Sequence, residues 1–146
     1  MKEKIIPEIR RLEFKDLDNG FYEALENLTV VGNISQKGKK VFNEISNNSL
    51  YNIFIAEYEN KVVGTITLLL ERKFIHGGGL VGHIEDVATN EDFEGKGVGS
   101  SLVDYAIKYA KEKGCYKVVL DCSEENVSFY EKMGLRRHEF GMRIDL

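Results

Sequence analysis

Proline occurs once in the 146 residues, tryptophan never and cysteine only twice. With Pro7 alone and no serine-rich tract, nothing marks a linker, so residues 1–146 are read as one domain. Two cysteines cannot build a disulfide scaffold. Cys115 and Cys122 fall on one expected strand, roughly 23 Å apart, whereas a disulfide needs Cα atoms at about 5.5 Å. A reducing, cytoplasmic setting is therefore expected. Long apolar runs are missing too. The longest, Val62 to Leu70, is interrupted by Gly64, Thr65 and Thr67, and a membrane span needs about 20 residues. The first residues, Met1 to Pro7, lack the apolar stretch of a signal peptide. Basic residues are outnumbered, 20 Lys and Arg against 24 Asp and Glu, for a net charge of −4. That balance argues against non-specific nucleic-acid binding, which rests on phosphate neutralisation. What is present, 42% apolar and 30% charged residues, suits an ordinary globular domain.

Hydrophobic periodicity gives the element order. Ile9 to Phe14 alternates as a strand, and Asp16 is the expected N-cap of a helix carrying Leu17, Phe21, Leu25 and Leu28. A weaker helical pattern runs through Val41, Phe42 and Ile45. Tyr51–Glu57 and Lys61–Leu70 read as a hairpin turning at Glu59-Asn60, and Leu80–Thr89 reads as a further strand after Gly77-Gly78-Gly79. Leu102, Val103, Ala106, Ile107 and Ala110 form one helix face, closed by Gly114. Tyr116–Cys122 is an apolar strand expected to be covered on both faces. Ser123 is a cap for a short helix with Val127, Phe129, Tyr130 and Met133, and Arg136–Asp145 is a last strand. The order β-α-α-β-β-β-α-β-α-β implies a mixed α/β fold around one sheet.

The densest chemical signal is Phe93-Glu94-Gly95-Lys96-Gly97-Val98-Gly99-Ser100, which follows a strand and opens a helix. Glycines there cost backbone entropy, but they let backbone N–H groups at a helix N-terminus approach a phosphate. A P-loop spacing is absent, and the dinucleotide pattern G-x-G-x-x-G would find Ser100 in its last place. His83-Ile84-Glu85 lacks the P-C-x-x-C of a zinc deaminase. Neither the two cysteines nor His76, His83 and His138 have metal-ligand spacing, so no metal is expected.

Gly95-x-Gly97-x-Gly99 after the strand His83–Ala88 resembles the acetyl-CoA pyrophosphate loop of the GNAT N-acetyltransferases. Arg72–His76, Gly82–Val87 and above all Gly114–Gly134 resemble one branch of that family, the glucosamine-6-phosphate N-acetyltransferases, as does Leu28–Gly32. The likeness runs through most of the chain from Arg10 onward. It implies the GNAT fold, a central mostly antiparallel sheet flanked by helices. It also implies direct transfer of acetyl from acetyl-CoA to the 2-amino group of glucosamine 6-phosphate, without an acetyl-enzyme.

The resemblance assigns roles residue by residue. Tyr130 would protonate or stabilise the departing thiolate, Asp121 would hold the amine, and Glu85 would orient or deprotonate it. Val87, Ala88 and Thr89 would offer backbone groups to the pantetheine arm. Gly95, Lys96, Gly97, Val98, Gly99 and Ser100, with Asn126, would hold the rest of the cofactor. Thr29, Lys73, Phe74, Ile75, His76, Glu85, Asp86, Asp121 and Arg143 would face the sugar phosphate. A homodimer exchanging Arg136–Asp145 is the implied partnership. From the residues alone, Tyr130 fits a core aromatic as well as an acid, and Asp121 fits a turn as well as an amine ligand. Glu85 and Asp86, neighbours on a strand, are expected on opposite faces.

Two positions depart from the family pattern. Glu94 stands where Arg or Gln is usual before the first glycine, and Asp145 stands at a usually basic place, with Arg143 two residues earlier as its substitute. Two rival readings stay open. One is a GNAT enzyme for free glucosamine, another amino sugar or a polyamine. The other is a non-catalytic acyl-CoA-binding module.

Overall fold

The structure is a computed structural model and describes residues 2–146. Five strands form one sheet in the order β1 (Glu8–Arg11), β2 (Tyr51–Tyr58), β3 (Lys61–Arg72), β4 (Leu80–Thr89) and β5 (Cys115–Val119). The first four pair antiparallel, and β4 with β5 is parallel. The hairpin between β2 and β3 turns at Glu59 and Asn60, both at positive φ, as a two-residue turn that matches strand twist requires. A parallel pair needs a crossover, which α4 (Val98–Glu112) supplies. Its face of Val98, Leu102, Val103, Ala106 and Ala110 is buried against Phe54, Val63, Ile66, Leu68 and Ile84. On the other face α1 (Tyr22–Glu26) and α2 (Gly38–Ser46) accompany a second cluster of Leu17, Phe21, Ile53, Ile55 and Val62. A short distorted turn, α3 (Ile75–Gly78), joins β3 to β4, and α5 (Val127–Lys132) follows β5. The sheet with helices on both faces is the α/β architecture expected.

Several expectations need correction. The first strand ends at Arg11, and Asp16 does not cap a helix. Its buried carboxylate instead receives two hydrogen bonds from Arg10, at 2.7 and 2.8 Å, and one from the Glu13 backbone N–H. The following helix is broken at Asn19 and Gly20 (φ +104°), where a Cβ would sit 2.3 Å from the Val62 carbonyl oxygen. Close packing on β3 therefore overrides the helical period. Tyr116–Cys122 becomes Cys115–Val119, with Tyr116 and Lys117 exposed, because β5 is the sheet edge and no strand among the described residues pairs with its outer side. Ser123 flanks the turn before α5 without a side-chain capping bond.

Arg136–Asp145 forms no strand. A strand needs ladder partners for its backbone groups, and this segment has none among the described residues. Phe140, Met142 and Ile144 alternate along it at 96%, 93% and 82% exposure.

Candidate active site

β4 carries the site because its regular geometry stops halfway. Thr65 opposes Ala88 and Thr67 opposes Glu85, so Asp86 and Val87 together face one residue of β3. This is a bulge, and Asp86 takes φ +48° to make it. The bulge breaks the two-residue alternation on which the expectation of opposite faces for Glu85 and Asp86 rests. Both are exposed and both charges act on the phenol of Tyr51 at the start of β2. Burial and the charges of Asp86 and Asp121 push the Glu85 carboxyl up, while His83 acts the other way. Three carboxylates thus gather where a cation would relieve their repulsion.

The pairing of β4 with β5 runs only from Leu80 to His83. Beyond it the two parallel strands part, leaving the β5 side of residues 84–89 without a ladder partner. Into this opening faces a cavity of about 460 Å³, lined by Val87, Ala88 and Thr89 on one side and by Asn126, Phe129 and Tyr130 on the other. Gly95, Gly97, Val98, Gly99 and Ser100 close its end. Gly97 caps α4 in the left-handed conformation at φ +92°, and Gly95 lies at φ +76°, a conformation costly for any residue with a Cβ. The N–H groups of Val98, Gly99 and Ser100 have no backbone acceptor. The hydroxyls of Ser100 and Ser101 turn back onto the Gly97 carbonyl, each at 3.0 Å, instead of capping them. Free N–H groups at the positive end of a fifteen-residue helix suit an anion.

Tyr130 stands on α5, half-buried, with Phe129 edge-on at 4.9 Å. Burial, aided by Cys122, raises its phenol above the usual tyrosine range. It therefore keeps its proton at neutral pH and can donate it. Asp121 does not close a buried strand as expected. It lies past the end of β5, exposed, with Gly141 of the chain's last segment packed near its carboxylate.

The other expected residues separate into groups. Lys96 is in the loop but its ammonium sits 4.9 Å over the Phe93 ring, outside the cavity lining. Lys73 binds Glu71 at 2.6 Å, and Glu71 lies 2.6 Å from His83 Nε2. A row of polar contacts thus runs from the hairpin tip along the sheet to His83, two residues before Glu85. Phe74 and Ile75 are exposed at that tip, and His76 stacks on Tyr116 at 4.1 Å. Thr29 lies in the exposed loop after α1, where Asn27 and Leu28 reach the cavity. Arg143 pairs with Asp145 at 2.6 Å, both exposed. Glu94 accepts a hydrogen bond from Asn27 Nδ2 at 2.7 Å, and the same amide donates to the Thr89 carbonyl. Sequence reasoning missed Lys4, Asn27, Phe93, Phe129 and Tyr51. Phe93 and Phe129 stand inside the glycine-rich and Gly114–Gly134 stretches without a role assigned to them, whereas Lys4, Asn27 and Tyr51 carry no motif and only the folded chain brings them to the cavity or the carboxylates.

The family model described as the Acetyltransferase (GNAT) family matches residues 9–135. The chain belongs to the GNAT acetyltransferase family. Among relatives of this acetyltransferase, the glucosamine 6-phosphate N-acetyltransferase of Arabidopsis thaliana is 38% identical over 138 residues, spanning 92% of this chain and 93% of the relative. That of Candida albicans is 44% identical and spans 87% of each chain. The crystal structure of the Arabidopsis thaliana enzyme superimposes with a TM-score of 0.91, over 97% of this chain and 99% of that one.

Proposed function

We propose that the enzyme transfers acetyl from acetyl-CoA to the 2-amino group of D-glucosamine 6-phosphate, releasing CoA and N-acetylglucosamine 6-phosphate. The observation that carries this is the cavity between the parted strands, with an anion-binding helix end at one side and a protonated tyrosine at the other. Its lining matches ten of the eleven cofactor and acid positions expected from sequence, all but Lys96. The pantetheine arm would lie along Val87–Thr89, and the pyrophosphate at Gly95–Ser100.

The amine nitrogen attacks the thioester carbonyl carbon, and the C–S bond breaks. The proton lost by the amine passes to Glu85, directly or through water. Its raised pKa makes it a better base than an ordinary carboxylate. The thiolate takes the proton of Tyr130, whose phenol is later reprotonated from solvent. Asp121 holds the amine beside the carbonyl. No cysteine takes the acetyl group. Cys115 is held by burial above the usual thiol range, the opposite of an activated nucleophile.

The active assembly in this reading is a homodimer. The apolar row Phe140, Met142 and Ile144 needs a cover, and β5 presents an open edge. Exchange of Arg136–Asp145 would satisfy both and would bring Arg143 to a neighbour's sugar phosphate. With both cysteines as free thiols, the cytoplasm is the setting that fits.

Asp121→Asn is the variant that tests the amine's position. It should raise KM for the amino sugar by about tenfold, the worth of one charge-assisted hydrogen bond, while KM for acetyl-CoA stays near wild type. An equal rise in both constants would mean that Asp121 supports the loop instead of the amine.

A further inference from the structure

Glu94 puts a carboxylate in front of the glycine loop, where the pyrophosphate needs positive charge, and Lys96 is taken up against Phe93. The chain's own N-terminal segment brings the missing cations. The Ile5 N–H donates to the Lys96 carbonyl at 3.0 Å, the Ile5 side chain packs on the main core, and Pro7 is buried. This pins the segment as a strap beside the loop, and the stems of Lys2 and Lys4 both lie near the glycines. A Cβ on Gly95 would meet Lys2 Cδ at 3.4 Å, and one on Gly97 would meet Lys4 Cδ at the same distance. Lys4 lines the cavity itself. Its ammonium has only a long contact to the Gly95 carbonyl, 3.4 Å, and no carboxylate partner among the described residues. Glu94, which lines the same cavity, accepts a hydrogen bond from Asn27 at 2.7 Å.

We propose that Lys4, with Lys2 beside it, binds the pyrophosphate of the acyl-CoA and supplies the positive charge that the Glu94 position withholds. The inference rests on reading the cavity as the acyl-CoA site. Lys2 and Lys4 are close to the glycine loop only because the strap is pinned at Ile5 and Pro7, so a distant piece of sequence completes the subsite. Lysine acts there as a point charge on phosphate oxygens.

Lys4→Met keeps the length of the stem and removes the charge. Its kcat/KM should be compared with wild type for three donors: acetyl-CoA, its 3′-dephospho form, and S-acetylpantetheine, which has no phosphate. Lys4→Met should lower kcat/KM about tenfold for the first two donors and leave S-acetylpantetheine unchanged. Lys4→Arg should retain most of the wild-type value, and Lys2→Met in the Lys4→Met background should deepen the loss. Equal loss with S-acetylpantetheine would overturn the proposal in favour of a structural role for the strap, and so would no loss with acetyl-CoA. A loss confined to donors carrying the 3′-phosphate would overturn the pyrophosphate assignment. If wild type uses none of the donors, the reading of the cavity fails and the inference falls with it. Use of all three by wild type with Lys4→Met unaffected sinks the inference alone.

Discussion

Tyr130→Phe is expected to lower kcat by about a hundredfold to a thousandfold, within the range that a positioned general acid contributes, with both KM values nearly unchanged. Phenylalanine fills the same space beside Phe129 and keeps the wall of the cavity. Only the O–H is lost. A contact that matters as the C–S bond breaks, and not while substrates merely sit bound, shows in kcat and kcat/KM together. The raised phenol pKa supports the assignment. A CoA thiol resembles a cysteine, with pKa about 8.5, so a tyrosine held above its usual value of about 10 stays protonated until the thiolate forms. Steady-state rates from pH 6 to 9 provide the check. Equal activity of variant and wild type across that range would remove Tyr130 from the proton path.

Asp16→Ala should cost about 3 kcal/mol of stability, the lower end of what removing one partner of a buried ion pair costs. Asp16 is fully buried, and it accepts two hydrogen bonds from Arg10 and one from the Glu13 backbone N–H. The substitution leaves Arg10 with Glu57, a 3.8 Å contact to Glu13 and the Arg11 carbonyl, and orphans the Glu13 N–H. Burial by itself would raise the Asp16 pKa, but Arg10 and the Glu13 N–H outweigh it and hold the group below the usual aspartate value. A carboxylate depressed in the folded state stabilises above its unfolded pKa of about 3.9, and that stability is lost as pH falls through the folded value. Urea denaturation at pH 7 should show the full deficit. Near pH 3 the gap between variant and wild type should shrink. A gap that stays constant with pH would mean that packing, not ionisation, accounts for the loss.

The parts legible in sequence were those with a local cause. The apolar face of α4, the Glu59-Asn60 turn and the glycines before Val98 each follow from period, turn chemistry or backbone freedom, and each is found in place. The failures have tertiary causes. Gly20 breaks a helix because β3 passes beneath it, and Asp16 leaves its capping role because Arg10 lies across from it. The bulge at Asp86 cannot be read from a strand whose residues all suit regular pairing, yet it interrupts the ladder beside Glu85. The cofactor side of the site was visible because a glycine loop has a pattern. Lys4, Asn27 and Tyr51 have none. The residues expected at the sugar were named only by family resemblance, and within the chain Lys73, His76 and Arg143 are engaged with Glu71, Tyr116 and Asp145.

Recognition of the acceptor turns on the charges of Arg143, Asp145 and Lys73. An enzyme built for a sugar phosphate must bind a dianion, so the 6-phosphate should contribute strongly to recognition. The most direct measurement is kcat/KM for CoA release with glucosamine 6-phosphate, free glucosamine and a polyamine, at saturating acetyl-CoA. The phosphorylated sugar should exceed the other two by at least about a hundredfold, as two charge-assisted phosphate contacts would give, with one N-acetylated sugar formed per CoA. Comparable values for free glucosamine, or preference for the polyamine, would contradict the account and make Asp145 a sign of an unphosphorylated acceptor.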